Sequence, residues 1–137
     1  MRKVLSVILA GAALAAAPAT AGRYDTPDRE AQLERALQGR VAGEPVDCIN
    51  LRNTTQSTII DDTAILYRVG STIYVNRPRN GAESLDRGDT MVNRLYGGNR
   101  LCSIDTVRMI DPFSGMLTGV VFLGEFVPYR RVRDAGY

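Results

Sequence analysis

The chain has 137 residues, 45% of them hydrophobic and 23% charged, with no histidine and no tryptophan. The missing histidine removes the commonest general base near neutral pH, the usual partner of a serine or cysteine nucleophile and the commonest metal ligand. The formal charge of +2 rests on 17 basic against 15 acidic residues, too small an excess to suggest capture of nucleic acid.

The first element in chain order is a processing signal. Met1, Arg2 and Lys3 are followed by an apolar run from Val4 to Ala17, and Ala19-Thr20-Ala21 supplies the small-x-small pattern read by signal peptidase. The run is shorter than the roughly 20 apolar residues a spanning helix needs. Residues 1–21 therefore read as a cleaved signal peptide rather than an anchor, and no membrane span is expected after cleavage. Arg2 and Lys3 leave with it, so the remainder balances acid against base and contains no lysine. The arginines that remain are scattered along the chain, as a coding bias would place them.

Residues 22–45 read as a polar segment with one helix over Pro27 to Gln38. Thr26-Pro27 offers an N-cap and first-turn proline, Asp28 and Glu30 suit the positive end of the helix dipole, and Gly39 is placed to stop it. Its apolar stripe is narrow, Leu33, Ala36 and Leu37, so the helix either covers a sheet edge or stays a loose arm.

From Val46 the apolar period becomes that of strands. Strands are predicted over Asp47 to Leu51, Ser57 to Ile60, Ala64 to Val69, Thr72 to Asn76, Met91 to Tyr96, Leu101 to Ile110 and Gly119 to Val127. Asp61-Asp62, Gly70-Ser71, Gly97-Gly98-Asn99 and Asp111-Pro112 through Gly115 mark the turns. Val120 to Leu123, apolar on both faces, suits a central strand, and Pro128 is expected to end it.

These elements predict a mainly β domain over residues 46–130, an antiparallel barrel or roll of six or seven strands, with a two-sheet β-sandwich as the alternative. The expected core is Ile49, Leu51, Ile59, Ile65, Tyr67, Ile73, Val75, Val92, Ile104, Val107, Val121 and Leu123. Residues 131–137 form a tail, and Arg130, Arg131 and Arg133 a solvated basic cluster.

Cys48 and Cys102 are the only cysteines. In an exported chain such a pair closes. A bridge across a loop of this size contributes about 4 kcal/mol in the chain-entropy account. The Cys-x-x-Cys spacing of a redox pair is absent.

Without histidine, mature lysine or a free thiol, only carboxylates remain for acid–base work. Asp61, Asp62, Asp105 and Asp111 are the candidates for a facing pair, but two are adjacent in a turn and Asp111-Pro112 reads as turn initiation. No calcium loop is present. The chain is therefore expected to be non-enzymatic, with no catalytic residues, cofactor or metal. The long polar loop from Arg77 to Asp89 is the candidate ligand surface. Arg77 and Arg79 flank a proline, and Asn76 and Asn80 add hydrogen-bonding groups, a set that suits a carboxylate or phosphate.

Cys48-Ile49-Asn50, Ile73-Tyr74-Val75-Asn76, Leu101-Cys102-Ser103 followed by Asp105, and Phe126-Val127-Pro128-Tyr129 resemble an uncharacterised family of small exported proteins of proteobacteria, a domain of unknown function. The resemblance implies a Gram-negative envelope setting, periplasmic or secreted, and no assigned activity. The combined expectation is an envelope protein that binds a protein or glycan partner through loops on a disulfide-stabilised scaffold. The alternatives are a secreted inhibitor of an envelope-attacking hydrolase and, third, a carboxylate-dependent hydrolase. A protruding rigid loop beside a flat apolar patch would favour the inhibitor.

Overall fold

The computed structural model describes residues 26–95 and 98–134; the predicted signal peptide and its cleavage site lie outside them. In chain order the elements are α1 (Thr26–Ala36), β1 (Arg40–Ala42), β2 (Cys48–Asn50), β3 (Thr54–Ile60), β4 (Ala64–Val69), β5 (Thr72–Asn76), β6 (Thr90–Asn93), β7 (Arg100–Cys102), β8 (Thr106–Ile110), β9 (Leu117–Phe122) and β10 (Phe126–Arg131). Short 3-10 turns cover Leu51–Asn53, Ala82–Ser84 and Val132–Asp134. The described residues are mainly β with one α-helix, and every strand pairing among them is antiparallel.

Among the described residues the strands form three sheets and no closed barrel: β1-β10-β5-β4-β3, β2-β7 and β6-β8-β9. Alternation along β4 and β5 divides the core in two. Ala64, Leu66, Ile73 and Val75 meet Leu33 of α1 on one face of the large sheet. On the other face Ile65, Tyr67 and Phe126 pack against Val107, Met109 and Val121 of the small sheet and Ile49 and Leu101 of the β2-β7 pair. The Tyr67 and Phe126 rings meet edge to face at 5.8 Å. Leu85, from the long Arg77–Asp89 connection, fills the same layer.

The helix is docked rather than loose, and it covers a sheet face rather than an edge. Leu33 is buried and Leu37 half-buried, while Ala36, the third member of the predicted stripe, is exposed. Three ion pairs surround its first turns: Arg29 with Asp62, Glu30 with Arg77, and Arg87 with Asp61, whose guanidinium also reaches Gln32. The polar segment also contributes β1, which pairs with β10 up to Arg131, so the main sheet draws on both flanks of the predicted β domain.

Ten strands among the described residues, instead of seven, arise from identifiable local chemistry. The predicted Leu101 to Ile110 strand breaks at a turn in which the Asp105 carboxylate accepts the Cys102 N–H at 2.8 Å and Asp105 N–H donates to Cys102 O. This turn throws Ile104 outward, 75% exposed, against its core assignment. In β6 the inward positions are Met91 and Asn93, so Val92 is exposed as well. The predicted Gly119 to Val127 strand divides into β9, an edge strand rather than a central one, and β10.

Pro128 does not end a strand but lies inside β10, opposite Tyr74. Its carbonyl accepts Gly43 N–H at 2.7 Å just where β1 leaves the ladder at Gly43-Glu44-Pro45. The donor a proline lacks is therefore missing where pairing with β1 runs out. The predicted turns at Asp61-Asp62 and Gly70-Ser71 form as hairpins, with Asp62 and Gly70 both at positive φ.

Candidate protein-binding surface

The Arg77–Asp89 segment was the sequence's candidate, and the structure disperses its four residues. Asn76 is fully buried, its amide nitrogen donating to Gly124 O at 2.7 Å and its oxygen accepting from Gly124 N at 3.1 Å. Arg77 holds Glu30 of α1 in a two-pronged contact of 2.7 and 2.8 Å. That guanidinium draws the Glu30 carboxyl below its usual range, chiefly through the hydrogen bond. Asn80 forms a bridge with Phe122 through backbone, and Arg79 donates its N–H to Phe122 O. The segment is thus a covering strap carrying Leu85 into the core, and of the four candidate residues Arg77, Arg79 and Asn80 are exposed while Asn76 is not.

The carboxylates weighed for catalysis are each engaged elsewhere. Burial pushes the Asp61 carboxyl upward, but the side-chain and backbone bonds from Arg87 outweigh it and the net shift is downward. Asp62 pairs with Arg29, and Asp105 caps its turn. Among the described residues no three His, Cys, Asp or Glu cluster as a metal site, and no helix is long and apolar enough to cross a membrane.

Cys48 and Cys102 are direct partners in the β2-β7 register, their sulfurs 2.08 Å apart. The bridge ties the first strand of the predicted β domain to a late one, as the sequence suggested.

Apolar side chains are exposed on the outer face of β6-β8-β9. Inward positions of this sheet, Val107, Met109 and Val121, enter the core. Register then places Val92, Arg108 and Val120 in one outward row, Thr90, Ile110 and Leu117 in the next, and Thr106 beside Phe122. Val92, Leu117 and Phe122 are exposed, while Ile110 and Val120 are half-buried. The only charge in these rows is Arg108.

At the end of this sheet the β8-β9 hairpin carries Phe113, 97% exposed, with Met116 close behind. The loop is held mainly by the Asp111 side chain, with Ser114 Oγ accepting the Met116 N–H at 3.3 Å. Asp111 Oδ1 accepts the backbone N–H of Phe113 at 2.8 Å, that of Ser114 at 2.7 Å and the Ser114 hydroxyl at 3.1 Å. Gly115 N–H donates to Asp111 O, and Asp111 N–H to Met116 O, closing the loop on itself. The two backbone donors, Ser114 first, hold the Asp111 carboxyl below its ordinary value. Asp111-Pro112 through Gly115 marked the turn in the sequence, and Phe113 lies within it, but turn chemistry alone does not single out its ring as a binding group.

Comparison of the chain with family models, with curated proteins and with solved structures finds no match.

Proposed function

We propose that this is an exported, non-enzymatic envelope protein that binds a protein partner through the Asp111–Met116 hairpin and the apolar outer face of β6-β8-β9. One observation carries the reading: Phe113 is almost wholly exposed on a loop that Asp111 locks from within. An aromatic anchor on a pre-ordered loop loses little conformational entropy on binding, and such residues dominate interface energetics. Apolar patches left uncovered on soluble domains mark interaction sites. The envelope setting rests on the signal-like N-terminus, the family resemblance of the four motifs and the closed disulfide, which suits an oxidising compartment.

A photo-crosslinking residue at Phe113 of the full exported chain should give a defined higher-mass adduct in envelope fractions, while the same residue at Val132 should give none. Phe113→Ser should abolish co-purification of that partner and leave the melting curve unchanged. No adduct from Phe113, Leu117 or Phe122 would refute the reading. Intact mass of the exported product should place Gly22 at its N-terminus.

A rigid loop beside a flat apolar face is also the geometry of a hydrolase inhibitor, and this favours that role over a hydrolase. Inhibition of a cell-wall-cleaving muramidase, lost in Phe113→Ser, would identify the partner class.

A further inference from the structure

A second surface lies on the opposite side of the small sheet from β9. There β3, the edge of the large sheet, and β6, the edge of the small one, border a common cleft. No described strand pairs with the outer side of either. One part of the cleft, about 620 Å³, lies between Thr58 to Ile60 and the pair Asp89 and Met91, with Arg35 of α1 at its rim. The next, about 260 Å³, lies between Thr54 to Ser57 and Asn93, with Tyr67 also lining it. Ser57 borders both, so the cleft follows all seven residues of β3, about 23 Å of extended chain.

Three features make this cleft complementary to a peptide strand. The edge itself presents unpaired backbone donors and acceptors, and Thr54–Ile60 carries no charge or proline to repel another strand. Ile59 and Met91, packed against the inner core but only half-buried, offer an apolar footing. Tyr67 Oη and Asn93 Oδ1 are buried without a hydrogen-bond partner among the described residues, and both residues line the smaller part. A hydroxyl that can donate and an amide oxygen that can accept match the C=O and N–H of a peptide backbone.

Charge narrows the occupant. Arg87 at the rim is held by Asp61, and Asp89 is bonded to the Thr118 hydroxyl, whereas Arg35 makes no ion pair among the described residues. A second copy would bring a β3 edge that stands in the same walled cleft, and two such walls would have to part before the edges met. We propose that the β3–β6 cleft binds an extended peptide segment of a partner protein by strand addition to β3, with an acidic side chain facing Arg35. This site is separate from the Phe113 hairpin and does not depend on it.

The probe is the capped hexapeptide Thr-Val-Glu-Val-Thr-Val, titrated into the mature protein and followed by amide chemical shifts and hydrogen exchange. Shifts and slowed exchange should appear over Thr54–Ile60. Arg35→Ala, or lysine in place of the peptide glutamate, should weaken binding about fivefold to tenfold, as loss of one charge-assisted contact does. Tyr67→Phe should fold with an unchanged or higher melting temperature yet bind less tightly, an effect a purely packing role would not produce. Alternate N-methylation of the peptide should abolish binding, and Phe113→Ser should leave it intact. The proposal is overturned by millimolar peptide that moves no β3 amide, by equal binding of the N-methylated peptide, by shifts confined to the Phe113 hairpin, or by a concentration-dependent dimer that protects β3 without peptide.

Discussion

Replacing Asn76 with alanine should be among the most damaging polar substitutions in this protein. Asn76 ends β5, fully buried between Ile65 of β4 and Phe126 of β10, and its amide makes a two-way bond with the backbone of Gly124. That bond fixes the connection between β9 and β10. The backbone there lies so close that a Cβ on Gly124 would sit 2.4 Å from Arg77 O. Alanine removes both hydrogen bonds and leaves the Gly124 N–H and C=O without partners, each at a cost of about 1–3 kcal/mol. Partial access of water to one of them sets the expected loss at about 2–4 kcal/mol, equivalent to a fall in melting temperature on the order of 15 °C. Urea unfolding should show a lower midpoint with an unchanged slope. Asn76→Asp should be at least as harmful at neutral pH, because its second oxygen would face Gly124 O, and should recover in part as acid protonates it. If both variants keep their midpoint within about 0.5 kcal/mol of wild type, the clamp is not holding the loop and Asn76 returns as a candidate ligand group.

Cys48→Ser or Cys102→Ser should lower stability by up to about 4 kcal/mol, and reductant should do the same to the wild type but not to the variants; a reductant-insensitive melting curve for wild type would refute this. The Glu30 carboxyl, lowered by Arg77, stabilises the docked helix fully above its ordinary value of 4.5, and that contribution disappears as pH falls through the lower folded value. Wild type should therefore lose more stability below about pH 4.5 than Glu30→Gln. Equal acid profiles would remove the pair from the helix-docking account. Gly81→Ala should destabilise strongly, since φ is +79° and the new Cβ would sit 2.2 Å from Val120 O; thermal unfolding of the purified variant measures it.

Strand content and disulfide were legible because they depend on local pattern: β4 and β5 have the predicted bounds, and eight of the twelve core assignments are buried outright. Leu51 and Ile59 pack against the core from half-buried positions, and Val92 and Ile104 failed on parity alone. One turn at Asp105 and a shift of one residue in β6 send each side chain to the opposite face. Leu85 and Phe113 escaped for complementary reasons. Leu85 is a lone apolar residue in a polar strap, so period leaves it outside the core, whereas Phe113 lies in the turn the sequence marked and turn chemistry alone does not single out an aromatic as a binding group. Arg77 was placed on a ligand surface because its partner Glu30, 47 residues away, is a tertiary contact with no sequence signature.

The four short motifs singled out in the sequence fall into two pairs of neighbouring strands. Cys48-Ile49-Asn50 is β2 and pairs with β7 through Leu101 and Cys102, while Ile73 to Asn76 pairs residue by residue with Phe126 to Tyr129. These segments supply the disulfide, the Asn76 clamp and several of the most buried side chains, so their chemistry is that of a scaffold. Both proposed binding surfaces, the Asp111 hairpin and the β3–β6 cleft, lie outside them. A scaffold of this kind tolerates change in the hairpin and in β3 without loss of fold, because neither Phe113 nor the exposed positions of β3 contribute to the core. Transplanting the Asp111–Met116 hairpin from this chain onto an unrelated antiparallel hairpin should therefore carry partner binding with it, provided Asp111 and Gly115 go too. Binding that requires the whole outer sheet face would instead make Phe113 a rim contact and Leu117 and Phe122 the anchors.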